Sequence, residues 1–380
     1  MNRMKNSSSY KIIIYNFVFS ICFMTGGQGV FAQSNLKEGN NQYALYSKSG
    51  DRKLLEAARK HSDDAYKTRR DTISFKNNLL RALVYSTLAV VDSNRTLKYT
   101  EDPLVISQRS LNKLTDRQLS FENEPEINHI IRNLANGHLI MGNKALNKKD
   151  YEQAYKQFRV VDSLESKTYN VQPNLAYLSH QLGFADEAIA RYEALTNIQR
   201  TSKPAYIHNL ADLYENKERT NLLINTLERG YEQFPENTSI IFRLINTLKE
   251  EQAYDAIVPL LDNALKLAPK NINLYNIAAY TYEMTGNPEK AKFCYEQMIT
   301  LDKNSYYGNF GVGLIYLEEY VKNPKNRTIQ TKAQEYLLKA NQINPTGINA
   351  LKSLAVLYQT KGDLVQLERV NNILDQLTLN

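Results

Sequence analysis

Residues 274–304, LYNIAAYTYEMTGNPEKAKFCYEQMITLDKN, limit what this chain can fold into more than any other stretch. Tyr275, Ala278, Ala279 and Tyr282 recur at helical spacing, so they share one face of a helix. Gly286-Asn287-Pro288 then breaks that helix, with glycine as the end cap and proline at the favoured first position of the next. Ala291, Tyr295 and Met298 repeat the apolar spacing beyond the break, and small Ala279 and Ala291 let the two backbones approach. The stretch therefore predicts an antiparallel helix pair closed across a short turn.

A lone alanine-rich hairpin is common, and the constraint comes from its repetition. The offsets of Ala279, Tyr282, Gly286, Ala291 and Tyr295 resemble those of the tetratricopeptide repeat, a helical pair of about 34 residues. Earlier matches are Gly142, Ala145, Tyr151, Ala154 and Phe158 in 143–163 and its flank, then Ala176, Gly183, Ala188 and Tyr192 in 175–195. The stretch 204–235 carries Ala211 and Tyr214 and ends in Pro235; 239–269 ends in Pro269, with Pro259 expected to distort its second helix. Later come Gly313, Tyr316, Ala333, Ala340 and Pro345, with extra residues expected between the helices at 321–331, and finally Leu354, Ala355, Tyr358 and Gly362. About seven such units fill 135–380. The resemblance implies an all-α fold, a tetratricopeptide-repeat right-handed superhelical solenoid of antiparallel helix pairs.

Ahead of the repeats, Arg3, Lys5 and Lys11 precede an apolar run at 12–24 that ends in small residues up to Ala32, which predicts a signal peptide over 1–32. The run is short for a membrane span, which needs about 20 residues. Residues 33–50 are polar and read as a flexible lead-in. Residues 51–134 read as an irregular helical region continuous with the solenoid: Asp51 and Asp71 are candidate caps of two helices, and Asp102-Pro103 and Glu124-Pro125 start two more. This front resembles that of exported tetratricopeptide proteins of the Bacteroidota. Once 1–32 is removed, Cys294 is the remaining cysteine, so no internal disulfide can form, which fits a periplasm or cell envelope. The net charge of +7 comes from basic and acidic residues interleaved along the chain, a pattern of solvated helix faces that points away from nucleic acid.

In the family, certain first-helix positions face a concave groove that holds an extended partner segment. By that resemblance the groove residues are Asn143, Asn174, Tyr177, His180, His208, Asn209, Asp212, Arg243, Asn246, Lys249, Asn276, Tyr280, Phe310 and Lys352. Asparagine recurs among them, and its amide both donates to and accepts from a peptide backbone; asparagine is also abundant throughout the chain. The groove lacks paired basic residues for clamping a carboxyl terminus, having the isolated trio Arg243, Asn246 and Lys249. His180 and His208 occupy adjacent units without the further ligands a metal site needs. Gly308, Gly311 and Gly313 fall in a helix without a preceding strand, so close packing explains them better than a nucleotide loop. No catalytic set, metal or cofactor is expected. The sequence predicts a non-enzymatic scaffold or adaptor in a bacterial envelope that binds a protein or peptide. Two other readings stand beside it: a structural subunit of a secretion or surface-attachment complex using the convex face or the N-terminal region, and a glycan-binding accessory protein.

Overall fold

The computed structural model describes residues 29–164 and 169–378, and among these there is no strand. Most of the expected signal peptide lies outside the described residues. The chain divides into two compact units, 1–191 and 192–380.

In the first unit, α1 (Gly29–Ser49), α2 (Arg52–Asp64), α3 (Arg69–Ile73) and α4 (Phe75–Val91) precede α5 (Pro103–Leu111), α6 (Arg117–Glu122) and α7 (Glu124–Asn147). α8 (Tyr151–Ser163) and α9 (Gln172–Gln181) follow, and α10 (Ala185–Thr196) contains the boundary between the units. Residues 33–50 were expected to be a flexible lead-in and instead lie in α1, apart from Gly50. Tyr43 and Tyr46 of that helix pack against Leu55, Leu80, Val84 and their neighbours, so tertiary burial outweighs the helix's polar composition. Asp51 caps α2 through a bond from the Lys53 amide at 2.9 Å, as the sequence predicts. Asp71 has a different capping role: Thr68 is the N-cap of the short α3 and Asp71 closes a capping box three residues in. Glu124 does start one uninterrupted helix that runs into the first good repeat.

The second unit continues in antiparallel pairs: α11 (Pro204–Asn216) with α12 (Thr220–Gln233), α13 (Thr238–Glu250) with α14 (Tyr254–Leu267), α15 (Ile272–Met284) with α16 (Pro288–Leu301), α17 (Tyr306–Lys322) with α18 (Arg327–Ile343), and α19 (Ile348–Lys361) with α20 (Leu364–Thr378). The predicted packing face is buried: Ala278, Ala279, Tyr282, Ala291, Tyr295 and Met298 all lie in the core. Each large side chain so buried contributes on the order of 2 kcal/mol.

The repeat is written into the backbone as well. Lys149, Gly183, Glu218, Gln252 and Gly286 all have positive φ, and so does Gly362. The first five recur every 34 or 35 residues. Just beyond each, an amide reaches back to close the helix end: Asp150 to Ala145, Phe184 to Ser179, Arg219 to Tyr214, Ala253 to Leu248, Asn287 to Tyr282 and Asp363 to Tyr358, at 2.7–2.9 Å. The glycines fit this left-handed position without strain, while Lys149, Glu218 and Gln252 hold it because the flanking helices are packed.

The α17–α18 pair departs from that pattern. The extra residues expected between its helices at 321–331 lengthen both helices instead, leaving a connection of 323–326 in which Asn323 has φ −136°. Pro259, expected to distort its unit, is exposed inside an unbroken α14. Gly308, Gly311 and Gly313 are buried in α17; a methyl on Gly313 would meet Leu337 at 2.9 Å, and one on Gly311 would enter the Tyr295 ring.

Candidate functional site

The register of the repeats identifies one position per first helix. Tyr280 of α15 is exposed just after buried Ala278 and Ala279, and the matching residues are Asp212 of α11, Asn246 of α13, Leu314 of α17 and Val356 of α19. In the first unit, Tyr177 of α9 has the same relation to buried Leu175 and Ala176. Tyr177 and Tyr280 share a second feature. Tyr177 meets Tyr151 edge to face at 6.1 Å and 90°, and Tyr280 meets Tyr254 at 5.4 Å and 76°. In both cases the partner opens the preceding second helix and lies 26 residues earlier in the chain (177 less 151, 280 less 254). Each exposed ring is thus held at a fixed angle by a ring of its neighbour, an arrangement worth about 1 kcal/mol.

The other predicted residues differ in how free they are. Asn143 of α7, Asn246 and Lys249 of α13 and Lys352 of α19 are exposed; Asn174 and His180 of α9, Asn276 of α15 and Phe310 of α17 are half-buried. Phe310 stacks on Tyr306 at 5.8 Å and 4°. Asn209 of α11 donates to the Tyr192 hydroxyl at 2.9 Å, so its amide already serves the packing. Arg243 is no isolated cation: its guanidinium meets the Asp212 carboxylate at 2.5 Å and Glu215 at 2.8 Å, joining α13 to α11. Burial and the nearby Arg243 guanidinium push the His208 imidazole below its ordinary range, against the Asp212 carboxylate. His180 and His208 belong to different units.

Several asparagines outside the predicted set have a plain structural task. Asn237 and Asn271, one repeat apart, cap α13 and α15 by accepting the Ile240 and Leu274 amides at 3.1 Å, and Asn326 does the same for α18. The recurrence of asparagine therefore has a cause besides ligand contact.

Between α17 and α19 lies a cleft of about 400 Å³ lined by Leu314, Leu317, Val321 and Val356, with Glu318, Lys322, Lys352 and Ser353. Apart from Lys352, these residues were missed in the sequence. Leu314 and Val356 occupy the Tyr280 register and were findable by it; Val321 and Lys322 belong to the extra turn that reads as an insertion. Glu283 of α15 is pushed up from the usual carboxylate range by burial and by the charge of Glu318, one of the cleft residues, against a hydrogen bond from Tyr295.

The fold and this register define a helical repeat protein of the kind that generally mediates protein–protein interaction. The tetratricopeptide repeat family pattern matches residues 272–305, the pair α15–α16. No curated protein matches the chain. Among solved structures, a crystal structure of MamA protein is similar at 17% identity over 46% of this chain and 89% of that one, with a TM-score of 0.39. YrrB, described as a tetratricopeptide repeat protein with an unusual peptide-binding site, is similar at 20% identity over 50% of this chain and 95% of that one, with a TM-score of 0.38. The fold is read from the chain's own helices and its 34-residue turn geometry.

Proposed function

We propose that this protein is a non-enzymatic scaffold or adaptor that holds an extended segment of a partner protein on the first-helix faces of its repeats. The observation that carries this reading is the recurrence of Tyr177 and Tyr280, each exposed at one repeat position and each braced edge to face by a tyrosine of the preceding helix. A core residue would be covered and a purely solvent-facing one would need no brace. A half-exposed, orientationally fixed aromatic is what anchors a partner at low entropic cost. The N-terminal basic and apolar pattern supports export to a bacterial periplasm or cell envelope.

The test is crosslinking in fractionated cells with capture identified by mass spectrometry. Tyr177→Ala with Tyr280→Ala should abolish capture of a specific envelope protein, while the helical circular dichroism is retained. Asn209 is left unchanged because its replacement removes a packing hydrogen bond. Capture that survives both substitutions but is lost on deletion of 33–120 would favour the structural-subunit reading, and recovery of the protein in the cytosol would overturn the envelope assignment.

A further inference from the structure

The α17–α19 cleft combines three observations that together specify an occupant. Its floor is aliphatic, formed by Leu314, Leu317, Val321 and Val356, of which Val321 and Val356 remain 46% and 44% exposed. Its rim carries Lys322 on one wall and Lys352 on the other, and among the described residues neither ammonium has a carboxylate partner. Its upper wall exists because α17 runs 17 residues where α13 and α15 run 13, so that the additional turn brings Val321 and Lys322 to the cleft.

Resting on the reading of the protein as a segment-binding scaffold, we propose that this cleft selects the segment: it takes one bulky aliphatic side chain flanked by carboxylates. From Leu314 to Val321 the floor extends roughly 10 Å along the helix, enough for one leucine-sized side chain and the backbone on either side of it. Water leaving the aliphatic floor drives entry of the side chain, a term roughly proportional to the apolar area covered. The rim sets the sign of what may flank it. Two ammoniums face one carboxylate, Glu318, so the rim is net positive and repels a basic neighbour while pairing with an acidic one.

Fluorescein-labelled peptides with Glu-Leu-Glu, Lys-Leu-Lys or Glu-Ser-Glu at the centre of a Gly-Ser sequence, titrated against the full chain, test this. The expected result is that Glu-Leu-Glu binds at least about tenfold more tightly than either counterpart. Val356→Asp should abolish that binding, Glu318→Gln should tighten it, and Lys322→Glu with Lys352→Glu should transfer the preference to Lys-Leu-Lys. All of these positions are exposed, and unchanged circular dichroism verifies the fold of each variant. Equal binding of the three peptides, or Glu-Leu-Glu binding that survives Val356→Asp, overturns the proposal. Capture in cells that is lost with Tyr177→Ala and Tyr280→Ala but kept with Val356→Asp overturns the cleft alone, whereas capture that survives every substitution overturns the scaffold reading with it.

Discussion

Gly311 of α17 lies directly under the buried Tyr295 ring of α16, so close that a methyl group on Gly311 would occupy the ring's own volume. Neither partner has room to yield. Tyr295 is 7% exposed, and two residues further along α17 Gly313 is pressed against Leu337 of α18 from another side. Gly311→Ala improves helix propensity by roughly 1 kcal/mol and forces an overpacked contact costing about 1–3 kcal/mol. A net loss of stability is expected in urea unfolding, and an unchanged or raised midpoint would contradict the packing described.

Gln252 holds the left-handed turn between α13 and α14 that Gly286 holds one repeat later, with φ of 57° and 72°. A side chain in that conformation costs about 1–2 kcal/mol, partly offset by the larger unfolded-state entropy of glycine. Gln252→Gly should therefore stabilise the protein by about 0.5–1 kcal/mol, and Gly286→Ala should destabilise it by a similar amount. Calorimetric midpoints of the two variants check the pair of opposite signs.

These turns also explain how much of the fold was readable in advance. Gly183, Gly286 and Gly362 announce the turn in the sequence, while Lys149, Glu218 and Gln252 occupy the same conformation without any residue signal. The buried alanine and tyrosine spacing still located those units, because burial depends on the helical period and not on the turn residue. Length was harder: the extra residues at 321–331 contain Asn323, Pro324 and Asn326, which signal a loop, and yet most of them extend α17 and α18. The site suffered for the same reason, since Val321 and Lys322 entered the cleft through that hidden turn. Register gave Tyr177 and Tyr280 their place, but the ion pairs of Arg243 and the hydrogen bond of Asn209 depend on which neighbouring helix faces them, and spacing along one helix carries no such information.

Pro259 sits six residues into α14, where its missing amide leaves the Asp255 carbonyl without its helical donor. Pro259 and Asp255 are both exposed, so that carbonyl is open to solvent, and α14 runs unbroken through the proline. Pro259→Ala restores the bond and removes the ring's clash with the preceding turn, a change worth up to about 3 kcal/mol in a helix interior. A raised thermal midpoint is expected; a lowered one would mean that the ring contributes packing that outweighs the backbone bond.

Asp92 closes α4 in the first unit and is 5% exposed, which by desolvation alone would raise its pKa. Four donors reverse that effect: the Thr96 hydroxyl at 2.6 Å, the Thr96 and Leu97 amides at 2.8 and 3.0 Å, and the Tyr99 hydroxyl at 2.8 Å hold the carboxyl down to about 2. The folded pKa is below the unfolded one, so the stability this group adds is fully present above the unfolded value of about 3.9 and is lost as pH falls toward 2. The gap corresponds to about 2.6 kcal/mol. Asp92→Asn should lower stability at pH 7 by about that much and flatten the decline of the urea midpoint between pH 4 and 2, roughly the interval the two pKa values bound. Tyr99→Phe, which removes one donor and keeps the ring, should retain most of the pH dependence. A wild-type midpoint that does not fall across that interval, or falls equally in Asp92→Asn, would show that the four hydrogen bonds do not favour the charged carboxylate.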